Sequence, residues 1–285
     1  MGNKLKNNPS DKVRELYNTL KEGVQEAFTS GRLKELARFW SMFHRYSFGN
    51  ILLIWTQKPQ ASLVAGIKTW NKAGRRVKKG EKGIKILAPK TYKKTVVDQE
   101  TGVETEEVRL AGFQVVTVFD VTQTEGKPLP IEKKLADTRV GQNLFKCAVD
   151  ACPVPVVFDD ITGAAKGYYA PKERRIVLSS GLEGDEKVAV LLHEIAHHIA
   201  HEIGEQKLSK SRADEEYIKG EIVAEGAAFI ACTYFGVDSG SLAFDYVASW
   251  AGNPEKVIRW GEAVQKVAQG LIDLIEKSQK REFAA

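Results

Sequence analysis

The stretch Val188-Ala-Val-Leu-Leu-His-Glu-Ile-Ala-His-His-Ile-Ala-His201 constrains this chain more than any other. Val188, Leu191, Leu192, Ile195 and Ile199 recur at helical intervals, which predicts a helix with one buried stripe. His193 and His197, four residues apart, then lie a turn apart on one side of that helix. With Glu194 between them they form H-E-x-x-H, two imidazoles that can reach one metal ion beside a carboxylate that can act on water. Peptide hydrolysis needs that combination, because the attacking oxygen must be activated and the leaving amine later protonated. Four of the five histidines in 285 residues fall in this block.

A catalytic zinc site takes three protein ligands and keeps one position open, so a third ligand is expected elsewhere. Ala200 and Ile203 stand where a metzincin would have glycine and histidine, which excludes that subclass. Downstream, Glu221-Ile-Val-Ala-Glu225-Gly-Ala-Ala-Phe-Ile-Ala231 predicts a second apolar helix bearing two carboxylates. Glu225, set among Ala224, Gly226, Ala227 and Ala228, is the expected third ligand, since a carboxylate among small apolar residues is rare unless paired or metal-bound. Glu221, one turn earlier, is the alternative: a ligand itself, a group orienting a ligand histidine, or a plain solvated carboxylate. His201 continues the face of His193 and His197 and reads as a surface histidine or one that orients a ligand. His198 points away and is expected to be exposed.

Charge divides the chain. Residues 1–128 carry 23 basic and 13 acidic side chains, a net of +10, and the remainder has a net of −5. That asymmetry predicts a basic module that meets a polyanion, joined to a mildly acidic catalytic module. Between Ala61 and Lys94 eleven basic residues face one acidic residue. Arg45, Lys68, Trp70, Arg75, Arg76, Lys78, Lys79, Lys82 and Lys85 are the candidate DNA-binding residues, since cations follow phosphates and aromatic rings stack on unpaired bases. No zinc-finger, helix-turn-helix or RNP signature is present, so readout of a particular base sequence is not expected. Cys147, Cys152 and Cys232 lack metal-type spacing and read as reduced thiols of a cytosolic protein. The N-terminus lacks the apolar core of a signal peptide and no run approaches eighteen apolar residues, so a soluble, cytoplasmic, DNA-associated protein without a membrane partner is expected.

In chain order, Ser10-Asp11 is expected to cap a helix ending at Gly31, a second helix to reach about Tyr46, and a third to run from Asn50 to Gln57. Strands are expected at Ile84–Leu87 and in a pair flanking Glu100–Val103, of which Phe113–Phe119 is the clearest. A linker at Gly126–Pro130, a helix over 137–151, a strand over 154–158 and a hairpin over 167–178 lead to the H-E-x-x-H helix. Tyr168 and Tyr169 in that hairpin are candidates to steady an oxyanion. Helices over 242–250 and 255–276 and a frayed tail from Lys277 complete the expectation. The fold class is α+β: N-terminal helices with a small antiparallel sheet, then a mainly helical zincin-like domain with a small edge sheet. The domain boundaries are set at 1–128 and 131–285.

Phe43-His-Arg-Tyr-Ser-Phe-Gly-Asn-Ile-Leu-Leu-Ile-Trp-Thr-Gln-Lys-Pro59, Val64-Ala-Gly-Ile-Lys-Thr-Trp70, Gly74-Arg-Arg-Val-Lys-Lys-Gly-Glu-Lys-Gly83 and Val118-Phe-Asp-Val-Thr-Gln-Thr124 together resemble the N-terminal domain of ArdC-type antirestriction proteins. The second half resembles that family's zincin-like metallopeptidase domain. The resemblance implies non-specific binding of single-stranded DNA and a peptidase with Zn2+ (or another divalent metal such as Mn2+) on His193, His197 and Glu225, with Glu194 as general base. It also implies a role in protecting incoming plasmid or phage DNA from restriction, with host restriction-system proteins as conceivable substrates. Two rival readings stand beside it: a DNA-binding shield whose zinc site is purely structural, closed by a fourth ligand such as His201, and a DNA-dependent protease acting on DNA-bound proteins.

Overall fold

The computed structural model describes residues 9–29, 33–97, 104–129, 140–163, 165–207, 214–238 and 254–282. The fold is α+β. The chain divides into two compact units, one of residues 1–23 and 52–129, the other of residues 24–51 and 130–285. The division falls inside helix α1 (Pro9–Thr29) and helix α3 (Phe48–Gln57). Because α1 already includes Pro9, Ser10 lies within the helix and does not cap it.

The first unit is built on a long antiparallel hairpin, β3 (Ile84–Val97) with β4 (Glu104–Asp120). Strand β1 (Val64–Ala65) pairs with the end of β4, giving the order β1-β4-β3. The strand expected at Ile84–Leu87 and the pair expected to flank Glu100–Val103 thus belong to one ribbon, and Glu100–Val103 lie outside the described residues. A register shift at Lys90/Thr91, where Gly112 has φ 133°, bends it. Near its base Ile84, Ile86, Val118 and Phe119 are buried together with Leu52, Ile54 and Trp55 of α3. Beyond the bulge Tyr92, Val108 and Leu110 are exposed. A second small sheet joins β2 (Arg75–Val77) to β5 (Thr124–Gly126), and α4 (Ile67–Lys72) stands between β1 and β2.

The second unit packs helices around a three-stranded mixed sheet of order β6-β8-β7. Strand β6 (Val156–Asp159) is parallel to β8 (Arg175–Ser179), and β7 (Gly167–Ala170) is antiparallel to β8 and forms one edge. Helix α6 (Gly184–Glu202) lies against β7 and β8 and packs on α7 (Glu215–Phe235) and α5 (Val140–Ala151). The last helix, α8 (Pro254–Glu282), continues past the expected fray point at Lys277. The helix expected over 242–250 lies outside the described residues.

Residues 33–51 join the second unit, although the sequence groups them with the basic half. Leu36, Ala37, Phe39 and Trp40 of α2 (Leu33–Met42) are buried, and α2 packs on α7. The Trp40 indole donates to Gln265 Oε1, and the Gln265 amide donates in turn to the His44 carbonyl. The Gly49 amide donates to Glu262 at 2.9 Å. Apolar periodicity shows that a helix has a buried face, but not which core receives it.

Candidate metal centre

Helix α6 begins with Asp185 and Glu186 in its first turn, where carboxylates complement the positive end of the helix dipole. Its apolar stripe is fully buried at Leu191, Leu192 and Ile195, which fixes the rotation of the helix and aims His193 and His197 toward α7. Their Nε2 atoms lie 3.1 Å apart. Glu221 Oε2, reaching across from α7, is 3.7 Å from each. Among the described residues these three are the group able to hold one metal ion. With metal–ligand bonds of about 2.0–2.2 Å, two ligands of a tetrahedral ion stand about 3.3–3.6 Å apart, so the observed triangle fits one shared centre. Two neutral imidazoles and one carboxylate are also a donor set that zinc accepts in sites with an open fourth position.

The carboxylate in this group is Glu221, not the expected Glu225. Position along the helix explains the difference, since residues four apart share one face of α7. The small residues around Glu225 serve packing on α8, where a side chain on Gly226 would meet Val264 at 3.1 Å. The turn of α7 that approaches the two histidines is the one containing Gly220 and Glu221. Burial opposes ionisation of Glu221, but hydrogen bonding to His193 and His197 and their charge hold its carboxyl well below the usual carboxylate range. For His197 burial works downward, yet Glu221, Glu194 and Gln206 raise its pKa overall.

Glu194 lies on the β7 side of α6 and is 6 % exposed. The Tyr169 backbone amide donates to its carboxylate. Burial is the largest influence and pushes the Glu194 carboxyl up, against the charges of His193 and His197. A base raised from the ordinary carboxylate range is better matched to proton transfer near neutral pH.

His198, expected to be exposed, is buried, and its Nδ1 stands 3.0 Å from the Tyr169 hydroxyl. Burial lowers its pKa. Tyr169 therefore spends its hydroxyl on α6, while Tyr168, 42 % exposed, does not. His201 lies beside the Tyr169 ring, with centroids 6.4 Å apart, and outside the metal-capable group.

Sequence reasoning missed Gln206, whose Oε1 lies 2.9 Å from His197 Nδ1. No motif marks it; the only signal was Gly204 just past the helix end, which predicts a reversal of the chain.

In the first unit the basic residues separate into two kinds. Lys68, Arg76, Lys78, Lys79, Lys82 and Lys85 are exposed. Lys78 Nζ donates to the Thr122 carbonyl at 2.9 Å and Lys85 Nζ to Thr117 Oγ1 at 2.6 Å. Arg75 is instead committed to the fold, donating to Thr124 Oγ1, the Thr124 carbonyl and the Lys127 carbonyl. Trp70 is a core residue: it is 2 % exposed, and its indole N–H donates to the Phe119 carbonyl at 2.9 Å. The ring that was a candidate for base stacking is thus closed off inside the fold. Arg45 belongs to the second unit and stands 3.8 Å from Asp273 and 3.6 Å from Glu276.

Comparison with known proteins gives two adjoining family matches. Residues 7–119 match the N-terminal domain of anti-restriction factor ArdC, and residues 120–235 match a family described as "Putative metallopeptidase family". The first match crosses the structural division, since it includes residues 24–51. Among solved structures, the antirestriction ArdC protein from the R388 plasmid is similar in two crystal structures. Its Mn(II)-bound structure aligns over 92 % of this chain and 97 % of its own, at 19 % identity and a TM-score of 0.60. Its metal-free structure aligns over 83 % and 86 %, at 21 % identity and a TM-score of 0.51. An uncharacterized protein of Bacillus anthracis is 24 % identical over 96 % of this chain. The chain spans about half the length of that curated relative, 53 %.

Proposed function

We infer the function of this chain from its family: it is an ArdC-type protein, an ArdC N-terminal domain followed by a domain of a metallopeptidase family. The reading is that it protects incoming DNA of a mobile element from restriction, with a first domain that binds single-stranded DNA without sequence preference and a second that is a metal-dependent peptidase. The observation that carries the peptidase half is the convergence of His193, His197 and Glu221 on one point, with Glu194 buried beside them.

His193, His197 and Glu221 would hold a divalent ion. Zinc suits the donor set, and Mn(II) is the metal bound by the R388 protein. Such an ion supplies Lewis acidity toward a peptide carbonyl and acidifies water. The chain's own residues supply the rest. Glu194 takes a proton from the attacking water and delivers it to the departing amine, a role its raised pKa suits. An extended peptide adds to the β7 edge, which has no strand partner on its outer side among the described residues. Tyr168, exposed on β7, is then placed to meet it. In the first domain Arg76, Lys79 and Lys82 offer charge to a phosphate backbone.

Protection of an unmodified plasmid entering a restricting host tests this reading. The wild type is expected to raise the number of transformants, and Glu194→Gln, which leaves all three metal-capable side chains in place, to lose that effect. Protection by Glu194→Gln equal to wild type would remove the peptidase from the mechanism. That outcome would leave the second observation, the exposed basic cluster, to support a shield that covers DNA.

A further inference from the structure

The two histidines of the metal-capable group are not held alike. His193 Nδ1 is buried and has no hydrogen-bond partner among the described residues. His197 Nδ1 faces Gln206 Oε1 at 2.9 Å. Because His197 Nε2 points at His193 and Glu221, a ligand role needs its lone pair there and its proton on Nδ1. An amide oxygen opposite Nδ1 selects that tautomer.

The chain builds this contact deliberately in three places. After α6, Gly204 takes the left-handed conformation, φ 75°, and turns the backbone so that the Glu205 and Gln206 amides both donate to the Ala200 carbonyl, at 2.8 and 3.0 Å. Glu205 then ties the turn to two helices, pairing with Lys219 of α7 at 3.3 Å and Lys266 of α8 at 2.7 Å. Finally, Gly220 leaves room for the Gln206 side chain, since a Cβ there would stand 2.7 Å from its Nε2 and 2.8 Å from its Cδ. Gly220 directly precedes Glu221. The turn, the tautomer of one ligand and the helix carrying another are linked through one amide.

We propose that Gln206 is a positioning residue that orients His197 for metal binding, with Gly220 as the gap that admits it; this rests on the metal-site reading above. Groups that fix a ligand imidazole in this way typically change metal affinity by about 10–100-fold when removed. A neutral amide does so without adding a negative charge to a site that already holds Glu221 and Glu194.

The test measures dissociation constants for zinc and for manganese by competition with a chromophoric chelator. Gln206→Met, of similar volume but without the acceptor, is expected to weaken binding at least about tenfold. Gln206→Glu, which restores an acceptor, is expected to return affinity to within a few fold of wild type. Gly220→Val should cause a loss similar to Gln206→Met, and the two combined should lose no more than either alone. In a His197→Ala background Gln206→Met should have no further effect. A merely structural residue would lower the melting temperature of the metal-free protein, would not be rescued by glutamate, and would act independently of His197. Affinity of Gln206→Met within twofold of wild type, or an undiminished effect without His197, overturns the proposal. A wild type that takes up neither metal overturns the metal-site reading, and this proposal falls with it.

Discussion

Asp120 ends β4 with its carboxylate fully buried and all of its hydrogen bonds local to the first unit. It accepts from the Ser62 and Leu63 amides at 2.8 and 3.1 Å, and from the Thr122 amide and hydroxyl at 3.0 and 2.7 Å. Gln123 completes the turn by accepting from the Asp120 amide at 2.9 Å. The Asp120 carboxylate thus holds the start of β1 against the end of β4. Burial pushes its pKa up, but the hydrogen bonds from Thr122, Ser62 and Leu63 outweigh burial and leave it below the ordinary 3.8. A carboxyl depressed in the folded state stabilises above its unfolded pKa, and that stabilisation fades as the pH falls through the folded value. Asp120→Ala is therefore expected to lower stability by about 3 kcal/mol at pH 7. Its deficit against wild type should shrink as the pH drops below 3.8, which denaturant melts from pH 7 to pH 3 would follow. A constant deficit would mean the carboxylate charge is not what matters. At the same scale Trp70→Ala removes a filled core position and should cost about 3–5 kcal/mol, read in the same melts.

Between elements, the decisive relation is how far along α7 the histidines of α6 stand. The helical period of both was legible from sequence, and so was the pairing of His193 with His197, because both lie on one helix at a fixed spacing. Which carboxylate stands near them was not, since Glu221 and Glu225 are one turn apart on the same side of α7 and only the position of α6 decides which reaches across. The cue used for Glu225, its small neighbours, is real but belongs to the α7–α8 contact at Gly226. Gly226→Val should accordingly destabilise by about 1–3 kcal/mol through overpacking against Val264, while the folded variant keeps wild-type metal affinity. Loss of metal without loss of stability would mean that this turn serves the site after all. The ribbon of β3 and β4 was legible in its pieces, and its continuity was not, because exposed strand beyond Lys90 alternates too weakly to mark its start. Gln206 was invisible for another reason: its role depends on a turn that brings residues nine apart together.

Across the whole chain, the charge contrast survives folding in altered form. The basic half carries a net of +10, yet Arg75 is spent on backbone carbonyls and Trp70 on the core, so the candidates left for DNA are the exposed lysines and Arg76. Reversing Arg76, Lys79 and Lys82 to glutamate should weaken single-stranded DNA binding and reduce its salt dependence, by about 0.7 per lost phosphate contact in the slope of log K against log salt. An unchanged slope would place the DNA elsewhere. The domain limits show the same kind of partial legibility: sequence composition put residues 33–51 with the basic half, whereas packing of α2 on α7 puts them with the unit that contains His193, His197 and Glu221. The family match over 7–119 runs across that division, so sequence family and compact unit do not coincide here.

The measurement that bears most directly on the account is metal content, by elemental analysis after zinc loading and gel filtration, of wild type, Glu221→Ala and Glu225→Ala. The proposed site predicts one ion per chain for wild type and for Glu225→Ala, and loss of most of it for Glu221→Ala. Retention by Glu221→Ala with loss by Glu225→Ala would contradict the site as built from His193, His197 and Glu221.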